Sequence, residues 1–592
     1  MFKKDKTATK TAPKPSTTTP PPSIVVPEGF TLHTENNSHI LISSKDEAFL
    51  NPVQEFNRDL SVACIRTWSE EINREKEEKW KKAEERRAKR IAAATWTAPE
   101  VEGEGKTAQA GALTEDITMI EAAAASEANA REYHPYKFVL LEALSATGLR
   151  SIRYAKEIPL VRFVIANDLL PSATAAMKRN VDLNGLGPSV PESEGPSTST
   201  SEPVRESTKP SLGKVRINEG DACALMYNHR TEKTRVDVVD LDPYGTAAPF
   251  IDPAVQCIND GGLLCVTCTD LSVLATTNYS EKCFSNYGGI PLKAEYCHEA
   301  ALRLVLNTIS TSASRYGRYI EPLLSLSVDF YVRIFVRVHT GPAEVKKAAS
   351  KTSTFYVCSG CQSHHAQPLL KALPKVHEKT GQTDWKFKTS AGPPVAPECA
   401  ECGFVHHVAG PMWSGPLHDA AFVSKVLEHL DKNADKYGTS TRMKGMLTVA
   451  QEELDVPFYF TPARVAGTFH CSTPALDDVA SALLNAGHQI SRSHAAPGSL
   501  KTTASREEIH DVFRSWIKKN PVRMDRIASG SPAYKLLTKE PKSEVSFKRH
   551  PDSVTRASKI NLVRYQQNPA PYWGPGSKAG GKRKREQEQD DA

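Results

Sequence analysis

The 592-residue chain has no uncharged apolar run near the ~20 residues of a membrane-crossing helix, so no membrane span is expected. Its N-terminus lacks a secretory signal. The 12 cysteines are therefore expected to stay reduced, where paired cysteines serve metals more readily than disulfides. No internal repeat is present, which sets aside repeat architectures. A large excess of one charge is also missing, since 75 Lys and Arg stand against 69 Asp and Glu. The charge is unevenly placed, however. From Ala486 onward there are 21 Lys and Arg but 11 Asp and Glu. A basic C-terminal part fits a polyanionic partner, or a tail that aids targeting.

The length implies two folded domains plus loose segments, and 39% hydrophobic residues suffice for buried cores. Residues 1–23 are rich in Lys, Thr and Pro and are expected to be disordered. Their basic, hydroxylated composition also fits a weak mitochondrial presequence, against which Asp5 and the prolines argue. SEEINREKEEKWKKAEERRAKR (69–90) reads as a solvated mixed-charge helix, and the Ala/Glu/Gly-rich stretch 97–131 as a loop insertion.

From Lys137 short apolar runs alternate with helical stretches. KFVLLEAL, VRFVIAND, VRINEGDA, RVDVVDLDPYG and GGLLCVTCTD read as five strands, and SVDFYVRIFVRVH as a further one. Runs apolar on both faces and separated by helices predict an open parallel α/β sheet. The Pro/Ser/Thr/Glu-rich stretch between Gly187 and Leu212 breaks this rhythm as a surface insertion.

In such sheets ligands sit at the carboxyl ends of the strands. The loop after the first strand, EALSATGLRSIRYA, is rich in small residues that allow close backbone approach, but it is not GxGxxG. The second strand ends in Asn167-Asp168, suited to ribose hydroxyls. The third ends in Gly220-Asp221-Ala222, suited to an adenine edge. This order is that of an S-adenosylmethionine site. The fourth strand runs into Asp242-Pro243-Tyr244-Gly245, which resembles the (D/N)PPY-type motif of amino-methyltransferases. An exocyclic base amine is a poor nucleophile because its lone pair is delocalised. A carboxylate can align it and accept its proton. Proline stiffens the turn, and an aromatic ring can stack on a base drawn out of its helix.

Taken together, AFLNPVQEFNRDLSV (48–62), LSATGLRSIR, Asn167-Asp168, DLDPYGTAAPF and CFSNYGGIPLKAEYCHEAALR resemble the tRNA (guanine-26) N2,N2-dimethyltransferase family over most of the chain. The resemblance implies a Rossmann-like class I methyltransferase domain with a parallel-type sheet, a C-terminal α+β zinc-containing domain, and two methylations of one guanine amine in tRNA. Carried over by position, it implies that Arg58 holds the methionine carboxylate of the cofactor, with help from Arg150. Asp168 would take the ribose, and Asp221 with Ala222 the adenine. Asp242 would be the catalytic carboxylate, and Phe49 and Tyr244 would sandwich the guanine. The sequence departs from shorter family members by insertions at about 64–135 and 187–213. A DNA or other RNA amino-methyltransferase, and an RNA-folding factor with an inactive methyltransferase domain, are the competing readings.

Cys358-Ser-Gly-Cys361 and Cys399-Ala-Glu-Cys402 form two knuckles that can close a tetrahedral, structural Zn2+ site. His364, His365, His406 and His407 lie close enough in sequence to replace a cysteine. The long gap between the knuckles requires the loop containing KALPKVHEKTGQTDWKFK to project. Cys265 and Cys268 read as buried thiols pointing to opposite faces of a strand. The expected division is a methyltransferase domain over 24–345, a zinc-containing tRNA-binding domain over 346–565 and a disordered basic tail over 566–592. KRKR (582–585) reads as a nuclear import signal or a further RNA contact, and mitochondria are a second destination. A monomer is expected.

Overall fold

The structure, a computed structural model, describes residues 24–43, 50–96, 132–188 and 212–559. The N-terminal segment 1–23, Phe49, most of both insertions, and the basic tail with KRKR lie outside the described residues.

A hairpin of β1 (Phe30–Glu35) and β2 (Ser38–Ser43) leads to α1 (Glu55–Trp96). Phe56, Leu60, Ala63 and Cys64 recur at helical spacing, and they are buried together with Ile65 and Trp68. The start of the stretch expected as an insertion from about residue 64 is therefore not solvated, because the helix carries its apolar face through Trp68. Nor is the charged stretch that follows purely solvated. Glu75 accepts two hydrogen bonds at 3.1 Å from Arg337, and Glu71 pairs with Lys425.

The central sheet contains β3 (Phe138–Glu142), β4 (Val161–Asp168), β5 (Val215–Glu219), β6 (Val236–Leu241), β7 (Ile258–Cys268), β8 (Arg318–Val328) and β9 (Tyr331–Thr340), in the order β5-β4-β3-β6-β7-β9-β8. The first five are mutually parallel, while β9 runs antiparallel to both β7 and β8. The single strand expected over SVDFYVRIFVRVH is instead the end of β8, a turn and the start of β9. Asp329 adopts φ +47°, a left-handed conformation that aspartate tolerates in turns.

Helices α2 (Leu149–Glu157), α3 (Pro171–Leu183), α4 (Ala222–Asn228) and α5 (Ala248–Cys257) follow β3, β4, β5 and β6 in turn. Further on, α6 (Ser280–Tyr287) and α7 (Cys297–Ser314) precede β8. Every residue of β6 is buried, as a strand covered on both faces requires. Cys265 and Cys268 of β7 belong to different apolar clusters, on opposite faces as alternation dictates. The chain order reverses between β3 and β6, so their carboxyl ends flank the switch crevice.

Beyond the sheet, β10 (Thr352–Cys358), β11 (His364–Pro368) and a later strand, His406–Trp413, form a small antiparallel sheet. Between them β12 (Leu370–Val376) and β13 (Thr383–Thr389) make an exposed hairpin, the projection that the cysteine spacing demanded. Helices α8 (Ala420–Lys432) and α9 (Ser440–Glu452) pack into the same apolar cluster as α1. The C-terminal half is thus continuous with the first core. Helices α10 (Pro462–Thr468), α11 (Leu476–Asn485) and α12 (Arg506–Lys519) surround the four knuckle cysteines in a third cluster.

Candidate active site and metal centre

The parallel register brings Glu142 of β3 level with Asp240 of β6 and with Ala166 of β4. Asp168, at the end of β4, accepts from the backbone N–H of Ala146 at 2.9 Å and from that of Leu170 at 3.0 Å. One carboxylate thereby fixes the loop after β3 against β4. That loop contains Ala146 (φ +44°) and Gly148 (φ +78°), whose added Cβ would strike Met177. Asp221 caps α4 by accepting from the N–H of Ala224 at 2.8 Å, and Ala222 opens the helix. Asp168, Asp221 and Ala222 therefore share the carboxyl edge of adjacent strands, as the sequence reading requires.

Asp242 follows β6 directly. Its carboxylate pairs with Arg150, which also receives Asp240 at 3.7 Å and Glu142 at 3.8 Å. Arg150 donates as well to the Ser61 hydroxyl of α1 at 3.1 Å. In this structure Arg150 is first a partner of Asp242. Arg58 lies nearby on α1, buried, and donates through Nε to Glu35 at 2.8 Å and through Nη1 to the Asn51 carbonyl at 3.3 Å. Tyr244 is 59% exposed.

Beneath these residues is a charge network that motif reading missed. Asp240 is fully buried, accepting from Arg333 at 2.8 Å and from the Tyr154 hydroxyl at 2.5 Å. Burial pushes its carboxyl up, but the Arg333 and Arg150 guanidiniums outweigh this and hold it below its usual value. Arg333 also reaches Thr267 at 2.9 Å and Ser61 at 2.8 Å, tying β9, β7 and α1 together. Glu142 shows the reverse balance. Burial raises it to about 8, and Arg150 only partly opposes this. The available signal was an arginine inside an apolar strand, YVRIFVRV. A charge there must meet a counter-charge.

The turn after Asp242 is held from the other side. Gly245 (φ +90°) donates to the Thr269 hydroxyl at 2.8 Å and accepts from the Thr269 N–H at 2.9 Å. Thr246 lies 2.6 Å from the Tyr287 hydroxyl, which donates to Asp270 at 2.8 Å. The CFSNYGG segment thus braces the Asp-Pro-Tyr-Gly turn through Tyr287.

Cys358, Cys361, Cys399 and Cys402 are buried, with all four sulfurs within 4.8 Å of one another. The Cys358–Cys402 and Cys361–Cys399 separations are 3.3 and 3.7 Å. A tetrahedron of ~2.3 Å metal–sulfur bonds places its sulfurs about 3.8 Å apart, so the donor set fits zinc. Gly403 (φ +73°) and Gly360 suit the knuckles; a Cβ at Gly360 would come 3.0 Å from the Cys402 sulfur. The four nearby histidines stand outside this group. His364, for example, packs edge-on against Tyr296 and Phe458. A second cluster, His418, Glu453 and His494, has ligand-like spacing. There the Lys501 ammonium lies 3.0 Å from Glu453 and 3.3 Å from Glu299, so the cation is supplied by the chain. Among the described residues no helix is long and apolar enough to cross a membrane.

The family model for N2,N2-dimethylguanosine tRNA methyltransferases matches residues 29–514. The tRNA (guanine(26)-N(2))-dimethyltransferase of Schizosaccharomyces pombe is 43% identical over 558 residues, covering 92% of each chain. The Homo sapiens protein of the same name is 40% identical over 552 residues, covering 93% of this chain and 78% of its own. A Saccharomyces cerevisiae relative, named as mitochondrial, is 40% identical over 570 residues, 93% of this chain and 92% of its own. Among solved structures, Trm1 from Pyrococcus horikoshii with S-adenosyl-L-methionine has a TM-score of 0.54 at 24% identity, over 81% of this chain and 99% of that chain. That last likeness concerns the fold.

Proposed function

Because the chain belongs to the N2,N2-dimethylguanosine tRNA methyltransferase family, we propose that it mono- and dimethylates the exocyclic amine of guanine 26 in tRNA, using S-adenosyl-L-methionine. The observation that carries this reading is the position of Asp242 and Tyr244. They leave β6 at the switch crevice, on a turn braced by Arg150 on one side and Tyr287 on the other.

The donor set at the sheet edge fits the cofactor. Asp168 supplies carboxylate oxygens for ribose hydroxyls, Asp221 and Ala222 line the adenine side, and Arg58, held here by Glu35 and the Asn51 carbonyl, would turn from them to the methionine carboxylate. S-adenosyl-L-methionine, when bound, supplies the electrophilic methyl group. The protein's own share is orientation and proton handling. Tyr244, with Phe49, stacks on the extruded guanine, which offsets unstacking by ~1–3 kcal/mol per base. Asp242 accepts a hydrogen bond from the amine and then its proton. Arg150 keeps that carboxylate aimed, so its role is positioning as well as cofactor contact.

The four cysteines hold one structural Zn2+, leaving no open coordination position. Residues 346–565 form the zinc-containing tRNA-binding part, and the protein acts as a monomer. The KRKR tract directs it to the nucleus, and the mitochondrial relative makes that organelle a second destination. Mass spectrometry of nucleosides from tRNA incubated with the protein and cofactor tests the reading. N2-methyl- and N2,N2-dimethylguanosine at position 26 are expected. Unmodified guanine there, with cofactor bound, would favour the inactive RNA-folding alternative.

A further inference from the structure

Two clefts that share His470 in their walls lie near the cysteine knuckles and the C-terminal helices. The first, about 1080 Å³, has one wall built from Thr277, Ser280 and Ile290–Glu295, and the other from residues beside Cys358 and from α10. Its first wall brackets Tyr287, the residue that braces the catalytic turn. Tyr279 and Phe284 are exposed on that same segment, at 49% and 57%. The second cleft, about 640 Å³, continues from His470, which lines both. It is closed by the end of α12 and the loop after it, and no Asp or Glu lines it.

The cations of these clefts differ from their neighbours. Around them, Lys518 pairs with Glu544, Lys539 with Glu507, Lys542 with Glu507, and Arg514 with Glu401. By contrast Lys519, Arg523 and Arg526, which line the second cleft, have no ion-pair carboxylate among the described residues. All three are exposed, as is Arg464 in the first cleft. Lys519 lies over the Phe547 ring at 5.1 Å, a contact that attracts the ammonium without neutralising it. A polar concavity lined by cations and no anions has the complement of a phosphodiester backbone. Through His470 it adjoins the first cleft, one wall of which flanks in sequence the Tyr287 that braces the turn after Asp242.

Resting on the tRNA reading above, we infer that this pair of clefts is the track for the tRNA strand flanking the target guanine. Lys519, Arg523 and Arg526 grip its phosphates in the second cleft. These contacts set affinity and register without reading sequence. Free nucleosides and the cofactor do not engage them.

The experiment measures KM for tRNA, tRNA affinity across a salt series, and cofactor affinity, in full-length wild type, Arg523→Gln/Arg526→Gln and Lys542→Gln. The double variant is expected to raise KM for tRNA about tenfold or more, and to flatten the log–log salt slope by about one unit per charge removed. Its cofactor affinity should stay at the wild-type value. Lys542→Gln removes a cation already paired with Glu507 and should change the slope little. If the double variant moves KM and slope no more than Lys542→Gln, the track lies elsewhere and the inference is overturned. If wild type itself neither binds nor methylates tRNA, the reading of function fails first, and the two failures are told apart by the wild-type arm alone.

Discussion

The carboxyl end of the sheet and the cysteine knuckles are both buried polar centres, but they are stabilised by opposite means. The knuckles gather four like donors whose only efficient common partner is a cation from outside the chain. The sheet end satisfies itself, with Arg150 and Arg333 set among Asp240, Asp242 and Glu142. On the proposed reading, one centre therefore depends on a bound ion to stay folded. The other keeps its groups in place without a ligand, and its outermost acidic group, Asp242, is the proposed catalytic carboxylate. On the proposed reading, the difference separates a structural joint from a preorganised reaction site.

Removing one knuckle ligand tests the first half of this contrast and should give the largest effect on stability. Structural zinc contributes on the order of 10 kcal/mol to folding. Cys361→Ser, or a strong chelator, is expected to unfold the cluster of α10–α12 around the cysteines while leaving cofactor binding at the sheet. Differential hydrogen exchange reads this out. Metal analysis of wild type should give about one Zn2+ per chain. A metal-free preparation with full protection in α12 would break the contrast.

A smaller effect is expected at Asp168. Asp168→Ala loses the carboxylate that holds the N–H groups of Ala146 and Leu170, along with the proposed ribose contact. Charge-assisted hydrogen bonds are worth roughly 1.5–3 kcal/mol, so calorimetry should show cofactor affinity down by about one to two orders of magnitude, with the melting temperature little changed. Unchanged affinity would remove Asp168 from the cofactor site.

A further test concerns pH. Glu142 is raised to about 8 in the folded protein, chiefly by burial. The folded state thus binds its proton more tightly than the unfolded chain. Its contribution to stability is complete below about pH 4.5, the ordinary carboxyl value, and is lost progressively as pH rises to about 8. Glu142→Gln should flatten this fall in melting temperature between pH 5 and 8. An unaltered pH profile would show that another group governs it.

Much of the sheet end was legible because short-range rules decide it. The alternation of strands and helices identified five parallel strands, and their carboxyl ends necessarily collected Asp168, Asp221 and Asp242. Cysteine spacing likewise foretold the four-sulfur cluster and a projecting loop, though not that the loop pairs as a hairpin. Long-range compensation was not legible. Arg150 read as a cofactor ligand, yet its nearest partner lies 92 residues away, at Asp242. Asp240 read as part of a motif, while its meaning comes from Arg333, 93 residues on. The β8–β9 turn escaped because Asp329 sits between two apolar runs that join into one plausible strand. The continuity of α1 was hidden by a charged stretch whose partners, Arg337 and Lys425, come from distant parts of the chain.

The most direct test is the single-turnover rate of Asp242→Asn on tRNA with saturating cofactor. The substitution keeps the shape of the side chain and most of its contact with Arg150, and removes the charge that takes up the amine proton. Methyl transfer should fall by the ~10²–10⁴-fold typical of a lost general base, with cofactor affinity nearly unchanged. A near-normal rate would contradict the account. It would mean that proximity and orientation alone drive the transfer, and that the Asp242 carboxylate serves only to hold the turn.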